Sequence, residues 1–441
     1  MKKYEQYKPT GIPWLPEIPA HWEERRIATK FNGHIDQNSD FEFSKAFRFN
    51  YGSVVPKNES GTPEEYREVY VKYSKVKKND IVINGLNLNY DFVSQRVAIV
   101  PESGIITSAY VVLRPFETTF SPYFSYLFKA MDSQKLFHGM GTGIRLTLSF
   151  DELKKQIIPI PPSSEQQKIV AFLNKRIALI ETCKCKRERE LQTLNELRQA
   201  EISSVVTRGL NPDVPMKDSG IPWIGQIPAH WEVKRLAGFI NFFKGLPITK
   251  ANLIPEGVPV ISYGQIHSKD NATTTLKESL FRFVSPEYKN TNPQCLLKKY
   301  DFVFADTSED FEGAGNFVLN DRDEDIFAGY HTIVARLNNN SITPKYLAHL
   351  LNSIGLRHQI RSSVDGVKVF TISKHIIRSA RIIIPPLDEQ NEISNYIDAR
   401  TQKIDTMIKA LKAEIDRLTE YKQRLISDVV TGQIDVRDEV I

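Results

Sequence analysis

Long apolar runs are missing from these 441 residues. No stretch approaches the roughly 18 consecutive apolar residues of a membrane-crossing helix, so no membrane partner is expected. The opening Met-Lys-Lys-Tyr-Glu-Gln lacks the apolar region of a secretory signal, and the two absences together predict a cytoplasmic protein. Cysteine is scarce: Cys183 and Cys185 lie in a charged stretch and Cys295 far from both, which predicts free thiols and neither a disulfide framework nor a metal site. Excess charge of one sign is small, since 58 basic against 53 acidic residues leave +5. That bias permits nucleic-acid binding without requiring it.

Catalytic signatures are missing too. There is no Gly-rich loop followed by Lys-Ser/Thr, no H-E-x-x-H and no G-x-S-x-G. Neither Asn211-Pro212-Asp213 nor Asn292-Pro293-Gln294 completes the Asn/Asp-Pro-Pro-aromatic tetrapeptide of amino-methyltransferases. Asp213 followed by Glu232 and Lys234 imitates the carboxylate–carboxylate–lysine array that holds Mg²⁺ in many nucleases. It straddles a linker and a repeated block whose other copy reads Glu23-Glu24-Arg25. A chain without chemistry of its own is the leading expectation, with a stand-alone Mg-dependent nuclease and a two-headed protein-interaction scaffold as alternatives.

What is present is a duplication. Residues 11–27 and 220–236 agree at eleven of 17 positions, among them Trp14/Trp223, His21/His230 and Trp22/Trp231. Ile-Pro-Pro-Ser-Ser-Glu-Gln at 160–166 returns as Ile-Pro-Pro-Leu-Asp-Glu-Gln at 384–390, and the segment at 200–207 returns at 424–431. The spacing is far too long for a solenoid or propeller unit. The histidines and tryptophans suit anchors that pin the opening block to its domain better than a base or base-stacking groups.

Between the shared blocks the pattern is mixed. Val69–Val76, Ile81–Ile83, Val97–Val100 and Tyr110–Leu113 read as strands. Pro122–Met131 and Ser149–Gln156 read as short helices, the second with a Ser149/Glu152 capping box. From Ser163 to Val206 there is no Pro or Gly, and apolar residues recur at Ile169, Leu173, Ile177, Ile180, Leu191, Leu194, Leu197, Ile202 and Val205. A second such rod, Asp388–Val430, has a cleaner seam through Ile397, Ile404, Ile408, Leu411, Ile415, Leu418, Leu425 and Val429. Gly209 and Gly432 end them. In the first rod Lys184 and Arg187 stand where the second has Ile408 and Leu411, either because the seam drifts or because a polar site faces a partner. The expected fold class is α+β with pseudo-two-fold duplication: two related α/β heads separated by two long antiparallel coiled-coil helices. The boundaries read as 1–156, first head; 157–210, first long helix; 211–384, second head; 385–432, second long helix; and 433–441, C-terminal tail. Lys77–Val82 matches Lys298–Val303, but the heads otherwise scarcely agree, which suggests a common scaffold with different ligands.

The repeated I-P-x-H-W-E opening, the P-P-x-x-E-Q start of each long helix and the unlike middles together resemble the specificity (S) subunit of type I restriction-modification systems, over essentially the whole chain. The resemblance implies two target-recognition domains, each reading one half of a split, asymmetric site in double-stranded DNA. It implies helices that act as a ruler and dock two methyltransferase (modification) subunits, with restriction subunits joining the full complex. It implies no cofactor in this chain; partner subunits would use S-adenosylmethionine, ATP and Mg.

Under that resemblance the DNA-binding candidates in the first head are the loop containing Gly141, Gly143 and Arg145, then Asn84, Asn87, Asn89, Tyr90, Gln95 and Arg96. In the second they are Gly366 and Lys368, with Lys244, Lys250, Tyr263, Gln265 and Ser308. Arg suits guanine and Asn or Gln adenine; the glycines would equally suit a tight connection into the next helix. For partner docking the candidates are Glu165, Gln166, Glu389 and Gln390, a role compatible with helix N-terminal capping and dipole stabilisation by the glutamates.

Overall fold

Two aspartates that the sequence aligns, Asp80 and Asp301, open the central strand of each head. Each carboxylate accepts the backbone N–H three residues before it, Lys77 at 2.8 Å and Lys298 at 2.7 Å. The residue just before each takes a positive φ, 73° at Asn79 and 69° at Tyr300, so the chain turns sharply into Ile81–Ile83 and Phe302–Ala305, both wholly buried. A buried carboxylate needs a partner. Arg114 meets Asp80 at 2.9 Å, and Arg336 grips Asp301 with two bonds of 2.6 Å.

A computed structural model describes every residue except 1, 34, 118, 144–145, 269–270, 272–273, 365, 367–368 and 440–441. The chain divides into two units, Met1–Glu188 with Lys412–Ile441, and Arg189–Leu411. In the first, an antiparallel sheet runs in the order Phe31–Asn32, Val111–Pro115, Ile81–Ile83, Val97–Ile99. In the second the order is Ile240–Lys244, Thr332–Leu337, Phe302–Ala305, Phe317–Leu319. Each head adds a second sheet, four-stranded in the first head and three-stranded in the second, with one parallel pair, Ile105 opposite Ala46 and Val260 opposite Phe327. The duplication therefore survives in topology where the sequences have diverged.

The strands at 81–83, 97–99 and 111–115 lie where expected, as do the helix Ser121–Ser133 and the Ser149/Glu152 box. Val69–Val76 does not form one strand. Arg67–Tyr70 is a helical turn and only Ser74–Val76 is extended. Tyr66, Tyr70 and Tyr73 recur at helical spacing, and their rings pack with centroids 5.8 and 5.6 Å apart, so burial of one face overrode β-propensity.

The long helices span Ser163–Arg208 and Leu387–Val430, closed by Gly209 (φ 74°) and Gly432 (φ 75°). Within each unit their segments pair antiparallel. In the first unit Lys422 meets Glu181 at 2.7 Å and Arg187 meets Glu414 at 2.9 Å; in the second Arg198 meets Asp405 at 3.0 Å and Arg400 meets Glu201 at 3.4 Å. Arg187 thus faces the other long helix. The expected seam slips at one place: Leu197 is 42% exposed and Arg198 takes the buried position beside it, because a 3.6-residue turn drifts against a seven-residue repeat.

His21, Trp22, His230 and Trp231 of the opening blocks are anchors, whereas Trp223 is 48% exposed, and two of the docking candidates, Glu165 and Glu389, are what they anchor to. Trp22 is fully buried, and its Nε1–H donates to Glu165 at 3.0 Å, while His21 bonds the same carboxylate at 2.8 Å and Tyr4 donates to it as well. Trp231 and His230 hold Glu389 at 2.9 and 2.6 Å. Gln166 donates to the Pro161 carbonyl at 2.9 Å. Gln390 donates to Ser341 and Pro385 and accepts from Thr343. Glu165, Gln166 and Gln390 are no more than 5% exposed, while the Glu389 side chain is 36% exposed. Burying an indole removes about 150–250 Å² from water, worth about 4–6 kcal/mol.

Candidate nucleic-acid interface

In each head two stretches far apart in sequence converge beside the central strand. In the first head Asn84–Gln95 meets His138–Leu148. The Leu88 N–H donates to the Leu146 carbonyl at 3.2 Å, and the Leu148 N–H to Gly85 at 2.9 Å. His138 Nε2 bonds the Asp91 carbonyl at 3.0 Å while its ring stacks on Phe92, centroids 4.6 Å apart. In the second head Asp306–Asn316 meets Arg361–Ile372: Thr307–Ser308 pairs antiparallel with Phe370–Thr371, Arg361 meets Glu312 at 2.8 Å, and the Phe311 and Phe370 rings lie 5.6 Å apart.

The first-head loop is held from within. Arg96, 1% exposed, donates to the carbonyls of Asn84, Leu86 and Asp91 at 3.0, 2.8 and 2.8 Å. Its guanidinium is committed to folding the loop. Gln95 donates to Asp132, a buried carboxylate that also takes the Arg96 N–H at 2.7 Å. Asp91 accepts from Ser94 at 2.9 Å and Val93 at 3.0 Å. The Ser94 amide, foremost, holds its carboxyl down at about 2.

Asn84 turns its Oδ1 to the Leu86 N–H at 3.2 Å, and Asn89 is half-buried. Asn87 is exposed at φ 51°. Tyr90 is 79% exposed, as are Phe92 at 54% and Val93 at 94%, two side chains that sequence reasoning passed over because they are apolar. Gly141 is crowded, since a Cβ there would lie 2.8 Å from the Leu88 side chain, whereas Gly143 takes φ 74° in open space. Arg145 and Lys368 lie outside the described residues.

In the second head Tyr263 is half-buried in a ring cluster with Tyr330 and His331 at 5.7 and 5.3 Å. Gln265 turns back to accept the Ser262 N–H at 2.9 Å. Ser308 is 4% exposed and donates to the Asp310 carbonyl at 2.7 Å. Both are local braces for the loop. Lys244, Lys250 and Gly366 are exposed, and Lys244 stands opposite Ile333 at a sheet end. A polar chain that the sequence did not disclose supports this loop. His267 Nε2 bonds the Thr307 carbonyl at 2.8 Å, Asn316 donates to His267 Nδ1 at 3.1 Å, and Arg357 donates to Asn316 at 2.7 Å. Burial pushes the Arg357 guanidinium down to about 10. Glu232 and Lys234 pair with each other at 2.5 Å on an exposed strand.

None of the described helices is long and apolar enough to cross a membrane. The sequence model of the family described as "Type I restriction modification DNA specificity domain" matches residues 22–193 and again 228–417. The type I restriction enzyme MjaVIII specificity subunit of Methanocaldococcus jannaschii is 23% identical over 373 residues, 83% of each chain. The putative type I restriction enzyme MjaX specificity subunit of the same organism is 23% identical over 99% of this chain and 98% of its own. A chain solved in a study of complex assembly and conformational transition of the type I R-M system superposes with a TM-score of 0.68 at 15% identity, covering 95% of this chain and 99% of that one.

Proposed function

The chain belongs to the type I restriction-modification DNA specificity family, and from that premise we propose that its heads each read one half of a split, asymmetric site in double-stranded DNA. The observation that carries this reading is that the family match falls twice, once on each head, while the converging loops of the two heads carry unlike residues. The two long helices set the gap between half-sites and offer their outer faces to two modification subunits, with restriction subunits completing the complex in the cytoplasm. Target choice belongs to this chain; methyl transfer with S-adenosylmethionine, and cleavage with ATP and Mg, belong to the partners. Phosphate contacts from lysines and arginines fix register, and groove contacts from the loops carry sequence.

The test is methylation calling on genomic DNA from cells carrying this chain with a cognate modification subunit, against cells lacking this chain. A split, asymmetric methylated motif that disappears with the chain is expected. An unchanged methylome, with the modification subunit shown to co-purify, overturns the reading.

A further inference from the structure

The two heads differ in nearly every loop residue, yet each presents one exposed phenylalanine at the same topological place. Phe92 lies in the loop between the central strand Ile81–Ile83 and Val97–Ile99; Phe311 lies in the loop between Phe302–Ala305 and Phe317–Leu319. Phe92 is 54% and Phe311 43% exposed. Single exposed apolar side chains are ordinary on protein surfaces, but these two are braced. A ring from the second converging stretch supports each one, His138 stacked under Phe92 at 4.6 Å and Phe370 edge-on to Phe311 at 5.6 Å. The loop backbones are braced as well, the first by Arg96 through its carbonyls and the second by the pairing of Thr307–Ser308 with Phe370–Thr371. Holding a rigid ring out in water gains the folded chain nothing, whereas a ring already ordered loses little entropy on binding.

We propose that Phe92 and Phe311 are apolar probes, one per half-site, that stack against a base step of the bound DNA and partly unstack it. This rests on the specificity-subunit reading and adds the residues and the mode of contact. A phenyl ring offers no donor or acceptor, so it reads the ease with which a step opens and the apolar face it presents. Tyr90 and Val93 enlarge the first probe; in the second, Glu309, Asp310 and Glu312 flank Phe311 along the chain, Glu312 paired with Arg361. The phosphate backbone repels such carboxylates, so a base-directed ring is the part of that loop suited to contact.

The experiment uses the full chain assembled with its modification subunits, and duplexes of the mapped target carrying 2-aminopurine at each adenine in turn. Fluorescence is expected to rise at one step in each half-site on binding. Phe92→Ala should abolish the rise in one half-site only, and Phe311→Ala in the other. Each should weaken binding about ten-fold, in line with one base–aromatic stack, without changing its dependence on salt, while Phe92→Trp and Phe311→Trp keep the signal. Alanine variants that bind and fluoresce like the wild type overturn the proposal, and so does a loss in both half-sites accompanied by a lowered melting temperature. Wild-type preference for the target over a scrambled duplex is read in the same titration; its absence overturns the specificity reading, whereas its presence with unaffected variants overturns this inference alone.

Discussion

Glu165 accepts three donors, from Trp22, His21 and Tyr4, while Glu389 accepts two, from Trp231 and His230. The Glu165 side chain is also the more buried, 5% exposed against 36%. Removing an acceptor leaves a buried indole N–H unsatisfied, which costs about 1–3 kcal/mol. Glu165→Ala is therefore expected to lower the unfolding free energy by about that amount, and Glu389→Ala by less, as measured by urea titration followed through tryptophan fluorescence. Affinity of the folded variants for modification subunits should be unchanged; a selective loss of that affinity would assign these residues to docking. The sequence showed that these residues recur, because recurrence is a property of the string. It did not show what they touch, since a helix-start Glu-Gln is equally suited to capping, docking or accepting an indole. The same limit explains Arg96: its residue type suits guanine, and only the carbonyls folded around it reveal that the charge is spent internally.

At the scale of elements, each long helix ends on a glycine packed against an opening-block tryptophan. A Cβ on Gly209 would lie 3.2 Å from the Trp231 ring, and one on Gly432 only 2.4 Å from Pro19. Both glycines hold positive φ, a conformation costing an L-residue about 1–2 kcal/mol. Gly209→Ala is expected to destabilise by about that much, and Gly432→Ala by more, because the rigid Pro19 ring cannot give way; equal shifts in denaturant midpoint would contradict the packing. The helices and their glycine stops were legible because uninterrupted periodicity over more than ten turns leaves few alternatives. The Tyr66–Tyr73 turn was not, since β-branched and aromatic residues serve a strand or a one-sided turn equally well and tertiary burial decides. Loop tips were least legible of all: apolar tips such as Phe92 look like core residues until exposure is known.

For the molecule as a whole, the duplication is closed by exchange. The first unit's core includes Leu425, Ile426, Val429, Val430 and Val436 from the end of the chain, and the Tyr123 hydroxyl donates to the Val430 carbonyl at 3.0 Å. The second unit uses Ile202, Val205 and Val206 of the first long helix in the same way, with the Tyr346 hydroxyl donating to Val206 at 3.3 Å. Sequence alignment makes Ile202, Val205 and Val206 the counterparts of Ile426, Val429 and Val430. A fragment of residues 1–210 would lack the five aliphatic side chains that complete its own core, a deficit of order 10 kcal/mol at about 2 kcal/mol each, and would leave its own helix end bare. Two copies can satisfy each other, each helix end filling the place of 425–430 in the other. The fragment is accordingly expected to sediment as a dimer at micromolar concentration, and Val205→Asp with Val206→Asp should dissociate and unfold it, because a charge there has no partner in an apolar site. A stable, folded monomer would show that the first head does not need the second long helix, and the closure by exchange would then be incidental to stability.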